Sequence, residues 1–117
     1  MKVLFANPPW WLHEKDGKWI AGVRGGSRWP FSLPVNSTPD RFVFGDYLPA
    51  PLFLMFATSY AKSKTDFEVR FRDSIALRES YTSFFAYLAE EKFSHIVIET
   101  ASPSWDHDAK IIAGIHV

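Results

Sequence analysis

The residues best equipped for chemistry fall into three short strings: Asn7-Pro8-Pro9-Trp10, Gly22-Val23-Arg24-Gly25-Gly26-Ser27-Arg28 and Thr100-Ala101-Ser102-Pro103-Ser104-Trp105. A glycine-rich turn presents backbone N–H groups to an anion, and Arg24 and Arg28 add positive charge, so the second string is a candidate anion cradle. A turn with solvated arginines is the plainer alternative. No Gly-Lys-Ser/Thr follows it, so it is not a P-loop, and it begins too far beyond the first apolar run for a dinucleotide fingerprint. Asp73 and Glu99 are placed to act as acid or base, or more simply to orient loop amides. His13 with Glu14 and Asp16, and Asp106-His107-Asp108, contain metal-ligand types. Neighbouring residues on a helix do not face one another, so the second trio cannot converge on one ion, and a structural or solvated role is expected for each histidine. There is no Gly-x-Ser-x-Gly elbow, and with no cysteine the chain has no thiolate nucleophile, disulfide or iron–sulfur ligand.

The 117 residues fit one domain, and 13 basic against 13 acidic side chains leave no net charge to drive non-specific nucleic-acid binding. Aromatic residues make up 17% of the chain, with 11 Phe and 5 Trp, which implies an aromatic-rich core, a large apolar cavity or an interface. The most apolar stretch, residues 48–57, carries two prolines and is far short of the ~20 residues a helix needs to cross a bilayer. Only residues 3–6 follow Met1-Lys2 as an apolar run, too few for a signal peptide. A reducing, cytoplasmic setting is expected.

The elements that position these strings are readable from periodicity. Residues 2–6 form an apolar run closed by Asn7-Pro8-Pro9 and predict a buried strand. Residues 10–50 hold five of the six glycines and four of the five tryptophans, and predict a long ordered loop folded over something. From Pro51 to about residue 64 a helix is expected, with Leu52, Met55, Phe56 and Tyr60 on one face. Residues 68–72 alternate as a strand, with Val69 and Phe71 on one face. Residues 78–91 carry Tyr81, Phe84, Phe85 and Leu88 at helical spacing, a core stripe. Residues 95–99 predict a third strand. Ser104 is the expected N-cap of a third helix, with Asp106 and Asp108 near its positive end, running to the chain terminus.

Strands alternating with helices imply parallel βαβ units. In an open parallel sheet, ligands bind beyond the carboxyl ends of the strands. Those ends are residues 7–11, Asp73-Ser74 and residues 100–105, and the long loop grows from the first of them. Tyr47-Leu48-Pro49-Ala50-Pro51 leads into the first helix at the same edge. Three strands are fewer than the usual five, so a truncated domain is expected, with an unpaired edge strand that favours oligomers or aggregates.

Four strings taken together resemble the N-terminal cobalamin-binding domain of cobalamin-dependent radical S-adenosylmethionine proteins. They are Asn7-Pro8-Pro9 after the first strand, Gly26-Ser27-Arg28-Trp29-Pro30 in the loop, Tyr47-Leu48-Pro49-Ala50-Pro51, and Glu99-Thr100-Ala101-Ser102-Pro103-Ser104. The resemblance spans residues 1–117 and implies a flavodoxin-like, doubly wound parallel sheet of order 2-1-3-4-5, cut off before strands 4 and 5. It implies a corrin ring over the carboxyl-terminal edge, with cobalamin serving commonly as a methyl carrier. A downstream barrel in the same parent chain would carry C-x-x-x-C-x-x-C, a [4Fe–4S] cluster and S-adenosylmethionine. The implied cofactor-binding residues are Asn7, Pro8, Trp10, Arg24, Ser27, Arg28, Trp29, Tyr47, Asp73, Thr100, Ser102, Ser104 and Trp105, with the arginines favouring the phosphate of the nucleotide tail. The chain departs from many cobalamin domains in lacking D-x-H-x-x-G after the first strand, and His13 is at the wrong spacing to replace its cobalt-ligating histidine. A flavodoxin-like nucleotide or flavin domain and a protein-interaction module are the alternatives.

Overall fold

A computed structural model describes residues 1–27, 31–34 and 48–115 of the protein. Three strands, β1 (Lys2–Asn7), β5 (Glu68–Asp73) and β6 (His95–Ile98), form a parallel sheet in the order β5-β1-β6. The central β1 pairs in register with both neighbours: Asn7 lies opposite Asp73, and Ala6 opposite Ile98. The carboxyl ends of all three strands therefore reach one edge, as the alternation of strands and helices requires.

Burial of β1 from Val3 onward follows from helices on both faces. Leu4 and Ala6 pack with Phe84, Leu88 and Phe93 beneath α2 (Tyr81–Glu91), with Tyr81 and Phe85 half-buried beside them. The periodic stripe read from the sequence is thus the core face of that helix. Ser80 caps it, its hydroxyl accepting from Ser83 N at 3.2 Å, which shortens the expected helix by three residues at its start. On the other face Val3, Phe5 and Val69 pack with Leu54 of α1 (Leu52–Lys64).

The orientation of α1 departs from expectation. Leu54, Thr58 and Ala61 face the sheet, whereas Leu52, Met55, Phe56 and Tyr60 are exposed. Residues 52–57 are all apolar, so hydrophobic periodicity leaves the helix phase undetermined. Small residues at 58 and 61 let the helix backbone approach β1 and β5, and Thr58 satisfies its hydroxyl by donating to Leu54 O at 2.7 Å.

The region after β1 is also not the irregular loop expected. It contains an antiparallel sheet of β2 (Leu12–Lys15), β3 (Lys18–Ala21) and β4 (Phe31–Pro34), in that order. Asp16 and Gly17 join β2 to β3 with φ of 52° and 69°, the paired left-handed conformation of a tight hairpin turn. The helix α3 (Trp105–Gly114) follows a 3-10 turn at Ser102–Ser104 and ends at Gly114, with Ile115 extended; the expected run of helix to the terminus is corrected accordingly. Among the described residues no helix is long and apolar enough to cross a membrane.

The two faces of α1 predict opposite responses. Leu54→Ala should cost about 2–5 kcal/mol of unfolding free energy in urea titration. Phe56→Ser should stay within about 0.5 kcal/mol of the unaltered chain. A larger loss from Phe56→Ser than from Leu54→Ala would reverse the assigned orientation.

Candidate functional site

The residues at the carboxyl edge of the sheet are held by a buried polar network. Asn7 is fully buried; its Nδ2 donates to Asp73 Oδ1 at 2.9 Å, and its Oδ1 accepts from Gly25 N at 3.1 Å. Asp73 Oδ1 also accepts from Ile75 N, so this carboxylate orients loop amides. One amide side chain thereby joins the ends of β1 and β5 to the glycine-rich turn.

That turn is closed by its own hydrogen bonds. Ser27 N donates to Arg24 O, Ser27 Oγ donates to the same carbonyl, and Arg24 N donates to Ser27 Oγ. Gly26 has φ of +87°, and a Cβ there would lie 2.3 Å from Ala50 O, so glycine is required by conformation and by contact. A Cβ on Gly25 would lie 2.9 Å from Pro51 Cβ, so the proline-flanked lead-in to α1 packs directly on the turn.

Arg24 does not face solvent or an open anion site. Its side chain is 0% exposed and pairs with the equally buried Asp108 at 2.7 Å. Arg24 Nε donates to Pro9 O, Nη1 to Val23 O and Nη2 to Tyr81 Oη. Asp108 uses its other oxygen to accept from Ser104 Oγ at 2.8 Å. Ser104 takes the expected N-cap position of α3, but its hydroxyl donates to Asp108 and makes no capping bond to a helix N–H. The expected electrostatic role of Arg24 toward a ligand phosphate is corrected too: its charge is neutralised inside the protein.

An aromatic column flanks this pair. Trp11 stacks between His13, at 5.0 Å, and His107, at 4.8 Å. His107 Nε2 lies 3.1 Å from Tyr81 Oη, which itself donates to Pro9 O. A Cβ on Gly22 would fall 1.8 Å from Trp11 Cε2, so the indole sits directly over that glycine. The Asp106-His107-Asp108 trio diverges as its spacing requires: Asp106 is exposed, His107 stacks and Asp108 is buried. Among the described residues no cluster of His, Asp or Glu is arranged to hold a metal ion.

Among the described residues, hollows open at this edge. A crevice of ≈ 50 Å³ runs between residues 23–27 and Glu99, Thr100, Ala101 and Ser104. A broader depression of ≈ 270 Å³ is lined by Thr100, Ala101, Ser102 and Trp105, so the two meet on the loop after β6. Trp105 is 54% exposed there. Of the residues expected to bind a cofactor, Arg24, Ser27, Thr100, Ser102, Ser104 and Trp105 are thus brought together, Arg24 with its side chain turned inward. Asn7, Pro8 and Asp73 line neither hollow; Asn7 and Pro8 are buried beneath the edge and act as supports. Trp10 is half-buried and also lines neither. Arg28, Trp29 and Tyr47 lie outside the described residues.

Sequence reasoning missed the supporting side chains Trp11, Tyr81, His107 and Asp108 as parts of the site. Tyr81 was legible only as a core ring, and the partners of Arg24 are too distant in the chain for any local pattern to reveal. No protein-family model, curated protein or solved structure matches the chain.

Removing one member of a buried ion pair leaves the other charge unpaired, so Arg24→Leu or Asp108→Leu alone should cost about 3–5 kcal/mol. The double variant should recover much of that loss in a double-mutant cycle; additive losses would deny the coupling. Burial, reinforced by the nearby Arg24 guanidinium, holds His107 below the ordinary histidine range. The unfolded chain then binds a proton that the folded protein refuses as pH falls through ~6.5, so stability declines on acidification until folded His107 is itself protonated. His107→Gln should flatten the dependence of Tm on pH in that window, and an unchanged slope would assign it to other groups.

Proposed function

We propose that the chain is a cofactor-binding module whose site is the carboxyl-terminal edge of the parallel sheet. The strand order β5-β1-β6, with helices on both faces, is compatible with the first three strands of a flavodoxin-like sheet. The most specific reading is a corrinoid site: the cobalamin-binding part of a radical S-adenosylmethionine enzyme, a methyltransferase or a related enzyme. The single observation that carries it is the meeting of the glycine turn and the loop after β6 in two adjoining hollows, the wider one flanked by the exposed Trp105.

The residues present fit such a group in one arrangement. The ≈ 50 Å³ crevice is too small for a macrocycle but takes a single polar substituent, while the open ≈ 270 Å³ depression accepts part of a flat ring lying over the edge. Trp105 offers the ring an apolar face, and Thr100 and Ser102, both exposed, offer hydroxyls to its rim. His13 and His107 are engaged with Trp11, and Pro8 and Pro9 are buried at the end of β1, so the reading assigns cobalt no imidazole from these positions. Bound cobalamin would supply methyl-group transfer; the chain's own part is to hold and orient it. The [4Fe–4S] cluster and S-adenosylmethionine belong, in this reading, to a barrel with cysteines that residues 1–117 do not contain.

A phosphate-led reading, with a nucleotide or flavin on the same edge, draws less support because Arg24 is already neutralised by Asp108. Hydroxocobalamin titrated into the protein should quench tryptophan fluorescence saturably and remain with the protein on gel filtration. Trp105→Ala should weaken that binding by about tenfold or more. Saturable binding of flavin mononucleotide with none of cobalamin would replace the corrinoid reading with the flavodoxin-like one, and binding of neither would leave a docking face.

A further inference from the structure

Glu99 follows β6 and lines the narrow crevice. Its Oε2 is buried and has no hydrogen-bond partner among the described residues. This oxygen and Asn7 Oδ1 converge on Gly25: a Cβ there would lie 3.1 Å from the first and 3.2 Å from the second. Asn7 Oδ1 already accepts from Gly25 N, so the oxygen left unsatisfied is that of Glu99. A buried acceptor without a donor is costly, and a ligand that brings one recovers the deficit on binding.

The charge around the crevice points the same way. Arg24, the basic residue among those lining it, is fully paired with Asp108, which leaves the Glu99 carboxylate as the uncompensated group there among the described residues. We infer that the crevice is a donor-selective subsite: it takes an uncharged or cationic N–H donor group, such as a carboxamide or amidine, and rejects carboxylate and phosphate. The inference rests on the carboxyl edge being the ligand site, but not on the ligand being a corrinoid.

Size and surroundings define the ligand further. About 10–15 Å³ of such volume holds one water, so ≈ 50 Å³ accommodates a group of a few heavy atoms and no ring system. The adjoining depression shares Thr100 and Ala101 with the crevice and adds Trp105. A ligand filling both carries its N–H donor on the rim of a flat body, with the donor at Glu99 and the body against the indole. The glycine turn, which its composition marks as an anion cradle, is in this account the wall of a site of opposite preference.

Benzamidine, benzamide and benzoate share one flat ring and differ in the group presented to Glu99. Titrated into the ¹⁵N-labelled 117-residue chain, benzamidine should bind most tightly, benzamide less so and benzoate at least about tenfold more weakly than benzamidine. The shifts should centre on the amides of Gly25, Gly26, Thr100 and Ala101 and on the Trp105 indole N–H. Glu99→Gln should remove the preference for benzamidine while leaving the dispersed amide spectrum of a folded chain. Benzoate or inorganic phosphate shifting the same amides at equal or lower concentration would overturn the inference, as would undiminished benzamidine binding in a folded Glu99→Gln. If that variant does not fold, the ligand order on the unaltered chain decides. Benzamidine binding without cobalamin binding would remove the corrinoid reading and leave the donor subsite standing; cobalamin binding with the reverse ligand order would do the opposite.

Discussion

The organisation of the carboxyl edge depends on the ion pair between Arg24 and Asp108. The two residues are 84 positions apart, and both side chains are essentially withdrawn from water. Burying two charges costs several kcal/mol per ion, and the pair is tolerable only where the remaining donors and acceptors are also satisfied. Here they are supplied by Pro9 O, Val23 O, Tyr81 Oη and Ser104 Oγ. The pair therefore draws together the segment after β1, the glycine turn, the start of α2 and the start of α3. It also fixes the spacing between the turn and the loop after β6, which is the width of the crevice.

This arrangement explains how polar and aromatic residues share the edge. The antiparallel sheet brings Trp11 and His13 up beside α3, where His107 completes the stack, and Gly22 leaves room for the indole. On the opposite side Pro51 abuts Gly25, so the turn is held between α1 and the strand ends. The crevice is thus walled by backbone, by Arg24, Ser27 and Ser104, whose side-chain hydrogen bonds are made, and by Glu99, whose buried Oε2 has no partner among the described residues. Such a site is largely formed before a ligand arrives, which reduces the ordering cost of binding.

Much of the parallel core was legible from residue pattern. The run at residues 2–6 is short, apolar and closed by prolines, and the 81, 84, 85, 88 stripe has one helical phase, so both elements and their burial follow. The ligand edge follows from topology alone, because parallel strands end on one side. The phase of α1 was not legible, since six consecutive apolar residues fit any face. The antiparallel sheet was legible in part: Asp16-Gly17 between Leu12-His13-Glu14-Lys15 and Lys18-Trp19-Ile20-Ala21 is a strong hairpin signal, obscured by the surrounding glycines and prolines. The partner of Arg24 was not legible at all, because a salt bridge across such a separation leaves no periodic trace.

The central claim, that the buried pair shapes the carboxyl edge, is tested most directly by native-state hydrogen exchange on the unaltered chain and on Asp108→Asn. The account predicts that the variant loses protection selectively at Gly25 and Ser27 of the turn and at Ser104 and the first turn of α3, while β1 and its pairing with β5 stay protected. A loss spread evenly over β1 and β5, or unchanged protection at the turn, would contradict it.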